Sequence, residues 1–295
     1  MTDQAQSLRQ LVSAKVPNRS AGSSKKTAQI ITITSGKGGV GKSNFTLNFA
    51  LTLRSLGRKV LVFDADIGMA NIDVLMGVSS RFSLYHVLRK EKSIHDVIQY
   101  GPEGLPYIAG GSGIADMISL SEDDLNYFVS QIELISSEMD YILFDTGAGL
   151  SKENMKFITS ADQCLVVTTP EPTSITDAYA LIKVVHGSDP EVPFTLVVNR
   201  AGDETEARQA SDKILLTAHR FLDLDIKMLG YVTDDPYVVK SVKRQVPFSL
   251  AFPRCEASRD IQRLALRYLA VPAAPPESGP LTGIKGFMQR WLKRT

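Results

Sequence analysis

A glycine-rich segment, TSGKGGVGKS at residues 34–43, carries two lysines, Lys37 and Lys42, at the end of the apolar run IITIT. The stretch from Gly36 to Ser43 fits the pattern G-x-x-x-x-G-K-[ST], in which backbone N–H groups and one lysine cradle nucleotide phosphates. Lys42 is placed to reach the β- and γ-phosphates, and the Ser43 hydroxyl to ligate Mg²⁺. Such a loop needs only one lysine, so the partner of Lys37 is an open question.

Carboxylates that can assist phosphate transfer follow two other apolar runs. The segment ILFDTGAG contains Asp145, which is placed to hold Mg²⁺ through a water molecule. The segment VFDADIGMAN contains Asp64 and Asp66, either of which could orient the hydrolytic water. We expect all three at the carboxyl ends of neighbouring strands, where ligands of open α/β sheets bind. The alternative for each is a helix cap or a surface loop, where Asp is common.

Seven apolar, β-branched runs alternate with helix-length amphipathic stretches along the middle of the chain. This alternation predicts an α/β fold, a doubly wound and mostly parallel sheet with helices on both faces. We expect the first helix to begin near Lys42 and to stop at Gly57. The runs lie at residues 30–34, 59–66, 105–110, 141–146, 164–169, 194–199 and 226–232.

Polar and proline-rich segments divide the chain into four predicted parts. These are an N-terminal arm and linker over residues 1–28, a nucleotide-binding domain over 29–270, a proline-rich linker over 271–281 and a C-terminal helix over 282–295. The apolar runs are too short to cross a bilayer, and the start MTDQAQSLRQ is too polar for a secretion signal. We therefore expect a cytoplasmic protein.

Formal charge is distributed unevenly along the chain. The 295 residues carry a net charge of +1, but residues 1–28 and residues 282–295 each carry +4, so the intervening body carries −7. Basic ends favour polyanionic partners such as a membrane surface, whereas an acidic body fits poorly with binding to DNA phosphates. The two cysteines form no CxxC pair, so neither a disulfide framework nor a zinc site is expected.

The C-terminal segment shows apolar residues at helical spacing with cations on the remaining positions. This pattern predicts an amphipathic helix that binds anionic membrane lipids reversibly. The alternative is a helix that docks on the protein's own core or on a protein partner. For a monomer without membrane or ATP we expect docking on its own body. The apolar face consists of Ile284, Phe287, Met288, Trp291 and Leu292.

Four segments together resemble the deviant P-loop ATPases of the MinD and ParA superfamily. They are KGGVGKS, DADIGMANIDVLMG, DTGAG and TTPEPTSITDAY, and the resemblance covers roughly residues 29–270. It implies slow ATP hydrolysis that is regulated by dimerisation. It also implies that Lys37 is the signature lysine, which crosses to the phosphates of a facing subunit in an ATP-bound homodimer.

The same resemblance implies roles for the other site residues. Asp66 positions the attacking water, Asp145 belongs to a Mg²⁺-sensing switch, and Ser43 is a Mg²⁺ ligand. Asn199 and Arg200 are implied to contact the adenine. The nucleotide contacts implied in all are Gly38, Gly39, Val40, Gly41, Lys42, Ser43, Asn44, Asn199 and Arg200.

The N-terminal segment DQAQSLR resembles the activator motif of the FlhG family, MinD-like ATPases that control flagellar number and placement. In that family the motif binds the GTPase FlhF and stimulates it, and proteins of the flagellar switch complex (C-ring) are further partners. The matching residues are Gln4, Ala5, Leu8 and Arg9. The alternative is a frayed polar terminus.

Three other members of the superfamily are less well supported by these residues. A ParA-type ATPase that positions DNA or another cargo shares the core motifs but would need a cationic surface for DNA. An iron–sulfur carrier would need paired thiolates, and Cys164 has no nearby mate in sequence. A bacterial tyrosine kinase would be expected to end in a tyrosine cluster, whereas this chain ends in MQRWLKRT. No direct nucleic-acid partner is expected.

Overall fold

A computed structural model of the chain describes residues 27–66, 71–110 and 122–270, together with Gly286, Phe287, Arg290 and Trp291. Eight strands form one sheet in the spatial order β3-β4-β2-β5-β1-β6-β7-β8, and β3 and β4 are its only antiparallel neighbours. The expected mostly parallel α/β sheet is therefore confirmed. The strands are β1 (Gln29–Ser35), β2 (Val60–Ala65), β3 (Gln99–Tyr100), β4 (Pro106–Ile108), β5 (Tyr141–Ala148), β6 (Gln163–Thr168), β7 (Phe194–Ala201) and β8 (Lys227–Thr233).

Helices follow most of the strands. The first begins at Lys42 and ends at Ser55, and Gly57 just beyond it has φ +82°, as the helix-stop prediction required. The helices of the described residues are α1 (Lys42–Ser55), α2 (Ile72–Met76), α3 (Leu84–Leu88), α4 (Ile94–Val97), α5 (Glu122–Ser136), α6 (Lys152–Ser160), α7 (Pro172–Ser188), α8 (Glu204–Leu222), α9 (Pro236–Arg244), α10 (Phe248–Ala251) and α11 (Glu256–Ala270).

Side chains of the central strands alternate between two apolar layers. On β5, Leu143 belongs to the layer that contains residues of α1, α10 and α11, whereas Ile142 and Phe144 belong to the opposite layer with residues of α3 to α6. On the outer part of that second face, Cys164 and Val166 of β6 pack with residues of α7 and α8. The sheet is thus buried on both faces, which explains why its strands are continuously apolar in sequence.

The short strand β3 was not predicted. Gln99 and Tyr100 pair antiparallel with Tyr107 and Pro106 of β4, and the connecting turn is closed by a hydrogen bond from Gly101 N to Leu105 O. Two residues are too few to display an alternating pattern, so no sequence signal marks this strand. The run expected to be a strand over 105–110 contains a strand only from Pro106 to Ile108.

Four residues of the predicted C-terminal helix are described by the structure, and two of its apolar residues lie in the core. Phe287 and Trp291 are each 2% exposed and belong to the apolar layer of α3 to α6. The docking expected for a monomer is observed for these two side chains. Ile284, Met288 and Leu292 lie outside the described residues, as do residues 1–26 of the N-terminal arm and the proline-rich linker. Among the residues that the structure describes, no helix is both long and apolar enough to cross a membrane.

Candidate nucleotide site

The glycine-rich loop lies between the end of β1 and the start of α1, as its motif requires. Gly41 has φ +86°, and a Cβ atom there would lie 2.4 Å from Asn199 Nδ2 at the end of β7. Asn199 Nδ2 donates a hydrogen bond to Val40 O at 2.7 Å. A glycine is therefore required at Gly41 for both backbone conformation and space. Asn199 braces the loop, and its contact with adenine stays a prediction.

Lys42 points into the protein at the base of the loop. The side chain is 7% exposed, and Nζ lies 2.7 Å from Asp145 Oδ1. Thr46 Oγ1, one helical turn further along α1, donates to the same carboxylate oxygen at 3.0 Å. The second oxygen, Asp145 Oδ2, is buried without a hydrogen-bond partner among the described residues. Lysine and carboxylate are thus held together inside the site.

These groups fit the binding of Mg²⁺ and phosphate. Ser43 Oγ lies 3.5 Å from Lys42 Nζ, so a hydroxyl, an ammonium and the orphaned oxygen of Asp145 occupy one small region. Hydroxyl and carboxylate oxygens are the ligands that Mg²⁺ prefers, and a buried carboxylate oxygen without a donor is costly unless a cation or water satisfies it. Ser43 and Asp145 would hold the ion, and the ion would offset the charge of the phosphates.

Lys37 takes a different direction from Lys42. Its side chain is 41% exposed, and Nζ lies 3.0 Å from Thr173 Oγ1 and 3.4 Å from Glu171 Oε2 at the start of α7. The loop approaches α7 closely here, because a Cβ atom on Gly36 would lie 2.2 Å from the backbone of Asp177. Of the two lysines in the loop, Lys42 is therefore buried, whereas Lys37 faces outward.

The structure shows what Asp64 does, which the sequence left open between Asp64 and Asp66. Asp64 Oδ2 accepts hydrogen bonds from the N–H groups of Asn71 and Ile72, at 2.9 and 3.2 Å, and Oδ1 accepts one from Asp66 N at 3.3 Å. Both oxygens are thus engaged in holding the ends of the 66–72 segment. Asp64 is a positioning residue, and the role of Asp66 in positioning the attacking water stays a prediction.

The electrostatics of Asp64 reflect its burial. The side chain is 1% exposed, and burial raises the pKa of its carboxyl to about 7, with a further rise from the neighbouring Asp145 carboxylate. The three N–H donors lower the pKa but do not overcome the burial. The carboxylate of Asp66 lies against Gly147, since its Oδ1 would be 3.5 Å from a Cβ atom there. Asp66 is therefore adjacent to the glycine-containing loop after β5.

A cleft of about 290 Å³ opens beside the loop, between the start of α7 and the end of β7. It adjoins the loop through Glu171, which contacts Lys37, and through Arg200, which follows Asn199 in sequence. Arg200 has φ +56°, and its Nε lies 3.6 Å from Asp234 Oδ1. The residues that line the cleft are Thr169, Pro170, Glu171, Pro172, Arg200 and Glu206.

The structure brings most of the predicted nucleotide residues to one edge of the sheet. Sequence reasoning missed Thr46 and Thr173; the only signal for Thr46 is its position four residues after Lys42, which places both on one helix face. The N-terminal motif, Gln4, Ala5, Leu8 and Arg9, lies outside the described residues.

Comparison with known proteins places this geometry among P-loop NTPases. A family model, ParA, described as "NUBPL iron-transfer P-loop NTPase", matches residues 26–268. The chain is 35% identical to the antiactivator FleN of Pseudomonas aeruginosa over 90% of this chain and 94% of that protein. It is also 35% identical to the flagellum site-determining protein YlxH of Helicobacter pylori, over 99% of each.

A solved structure of the same fold holds a nucleotide and Mg²⁺. The septum site-determining protein MinD of Pyrococcus horikoshii, complexed with Mg-ADP, superimposes with a TM-score of 0.67 at 25% identity. The match covers 84% of this chain and 99% of that chain. Nucleotide and Mg²⁺ are thus bound by a protein of this fold, in agreement with the oxygen ligands that Ser43 and Asp145 offer.

Proposed function

This chain belongs to the MinD/ParA family of P-loop ATPases, and we propose that it is an ATP-dependent dimerising switch that associates with the membrane and regulates flagellar number and placement. The name of its relative YlxH, a flagellum site-determining protein, supports the flagellar part of this proposal. In this role ATP hydrolysis acts as a timer that limits how long the dimer lasts.

The observation that carries the proposal is the different surroundings of the two loop lysines. Lys42 is buried against Asp145 and is equipped to bind phosphate within its own subunit. Lys37 is half-exposed and held by two polar side chains, Glu171 and Thr173, from which it can be displaced at little cost. A second ATP-bound copy would receive Lys37 on its phosphates, much as a GTPase receives an arginine finger.

The C-terminal helix supports a coupling between this site and the membrane. The Phe287 ring stacks on Phe144 with centroids 5.0 Å apart, and the Trp291 ring meets Phe157 edge-on at 4.4 Å. Phe144 immediately precedes Asp145 on β5. The docked helix therefore touches the strand that carries the Mg²⁺ ligand, on the sheet face opposite to α1.

Polar contacts of Arg290, which lies between Phe287 and Trp291 in sequence, also hold the helix. Arg290 Nε donates to Ser160 O at 3.0 Å, and its guanidinium lies 3.2 Å from Asp162 Oδ1. The other oxygen of Asp162 accepts from Ile30 N of β1 at 2.9 Å. Burial raises the pKa of the Asp162 carboxyl, and Arg290 partly offsets that rise. Release of the helix thus exposes apolar rings that a lipid surface can cover.

Vesicle binding tests the proposal. One short amphipathic helix binds a bilayer weakly, but a dimer presents two helices, and the second insertion is intramolecular, which raises avidity by roughly 10² or more. The full chain with Mg-ATP should pellet with acidic vesicles, and the chain with Mg-ADP or truncated after Pro280 should stay in solution. Equal pelleting with ATP and ADP would contradict a nucleotide-dependent switch.

The N-terminal motif supplies a second, separable test. We propose that DQAQSLR stimulates the GTPase FlhF, because Gln4 offers an amide of the kind that orients water in other GTPases. A synthetic peptide of residues 1–20 should accelerate GTP turnover by FlhF, and the Gln4→Ala peptide should lose most of the effect. A Gln6→Ala peptide is the matched control. A wild-type peptide without effect would overturn this assignment.

Other partners follow from the same family assignment. We propose that proteins of the flagellar switch complex bind the ATPase body. Iron transfer, which the matching family's description names, is not proposed. Cys164 is fully buried in β6, burial raises the pKa of its thiol, and Cys255 lies between α10 and α11. Two cysteines so placed do not offer a pair of thiolates to a cluster.

A further inference from the structure

A group of cations on and around α3 is held over aromatic rings. The guanidinium of Arg81 and the ammonium of Lys92 lie 5.4 and 4.8 Å from the centroid of the Phe82 ring. Arg89 lies 4.9 Å from the centroid of the Tyr85 ring. These five residues form what we call the cationic aromatic surface. Each cation reaches a ring face at a distance typical of cation–π attraction.

The charge of this surface is poorly compensated. Arg81, Arg89 and Lys92 form no ion pair with a carboxylate among the residues that the structure describes. The acids nearby in sequence are Glu91 and Asp96. Hydrogen bonds from the side chain and backbone of Ser93, with a smaller contribution from Lys92, lower the pKa of the Asp96 carboxyl and keep it charged. Residues 81–96 nevertheless hold four lysines and arginines against these two acids. A local positive region thus stands out from an otherwise acidic body.

The surface lies on the same side of the sheet as the docked C-terminal helix. Leu84 and Val87 of α3 belong to the apolar layer that also contains Phe287 and Trp291. Helix α5 contributes Ile132 and Ile135 to the same layer, and its Gln131 accepts a hydrogen bond from Ile94 N of α4. The C-terminal helix and the cationic aromatic surface thus share one side of the sheet, so one bilayer can contact both.

We propose that the cationic aromatic surface is a second membrane contact, which binds the anionic headgroups of phospholipids while the C-terminal helix is inserted. Arginine binds phosphate groups bidentately, and half-buried Phe82 and Tyr85 offer rings of the kind found at membrane interfaces. We favour a lipid layer over a folded protein partner because none of the three cations forms an ion pair among the described residues, and all three are available to anionic headgroups. The proposal rests on the membrane association proposed above.

Neutralising two of these cations tests the proposal. In the full chain with Mg-ATP, Arg89→Gln with Lys92→Gln should weaken co-sedimentation with phosphatidylglycerol-rich vesicles by at least about tenfold, since each juxtamembrane cation contributes about fivefold. The difference from wild type should shrink at high salt and vanish on phosphatidylcholine vesicles. ATP-dependent dimerisation and ATP turnover without vesicles should be unchanged.

A matched control lies on the other face of the sheet. Lys240→Gln with Lys243→Gln removes the same charge from exposed positions of α9 and should keep the wild-type affinity for acidic vesicles. Equal affinity of wild type and the Arg89/Lys92 variant would overturn the headgroup contact, and so would an equal loss in the control. A variant that lost binding to a uridine-rich RNA oligonucleotide but not to vesicles would assign the surface to nucleic acid instead. Pelleting of the chain truncated after Pro280 would instead count against the membrane helix itself.

Discussion

Replacing Lys37 by alanine is expected to abolish the ATP-dependent dimer while leaving nucleotide binding intact. Among the described residues the Lys37 ammonium contacts the exposed side chains of Glu171 and Thr173, so its removal should cost little stability. Loss of a cation supplied across an interface to transferring phosphate reduces turnover by about 10³-fold or more in comparable enzymes. Sedimentation velocity with Mg-ATP and a turnover assay measure the two effects.

Three variants distinguish this result from general damage to the site. Lys42→Ala should lose nucleotide binding, because it removes the buried ammonium that pairs with Asp145. Asp66→Ala should bind ATP and persist as a dimer, since only the group that positions water is removed. Glu171→Gln should still dimerise with ATP. A Lys37→Ala protein that dimerises with ATP as wild type does would refute the crossing lysine.

Replacing Phe287 by alanine is expected to release the C-terminal helix without unfolding the body. Phe287 is 2% exposed and stacks between Phe144 and the neighbouring Trp291. Removal of a buried Phe side chain costs about 3–5 kcal/mol, which shifts a docking equilibrium by more than about 10²-fold. The chain contains a single tryptophan, so the emission of Trp291 should move to longer wavelength in the variant.

The control for this experiment is a substitution of an exposed apolar residue elsewhere. Leu266 on α11 is 49% exposed, and Leu266→Ala should leave the emission of Trp291 unchanged. The Phe287→Ala protein should bind acidic vesicles with less dependence on ATP, because the docked state competes less, and with lower affinity overall, because one apolar residue that inserts into lipid is lost. An unchanged emission maximum in that protein would show that Phe287 does not hold the helix.

The parts of the fold that the sequence predicted are those with long-range regularity. The parallel strands appear as continuous apolar runs, and the glycine-rich loop needs a strand before it and a helix after it. The docked face of the C-terminal helix was predicted for the same reason, since Phe287 and Trp291 recur at helical spacing. The periodicity predicts which residues are buried, and the structure shows that they pack against Phe144 and Phe157.

The parts that the sequence did not predict depend on single contacts between distant segments. The role of Asp64 as an anchor for the N–H groups of Asn71 and Ile72 leaves no pattern, because an Asp at a strand end can equally face solvent. The cationic aromatic surface is also hidden, since its charges read as an ordinary solvated face until Arg81 and Lys92 are seen on one ring. Both features become visible only when the residues that form them are seen close together in the structure.

Phe287 and Trp291 cannot occupy the protein core and a bilayer at the same time. Docking therefore competes with lipid, and the apparent affinity for a membrane equals the intrinsic affinity of the helix reduced by the fraction of molecules in which it is undocked. The packing around Phe144 and Phe157 consequently determines the fraction of undocked molecules and, with it, the apparent affinity for a membrane. A mild substitution at Phe157 would therefore shift how much of the ATP-loaded protein resides on the membrane.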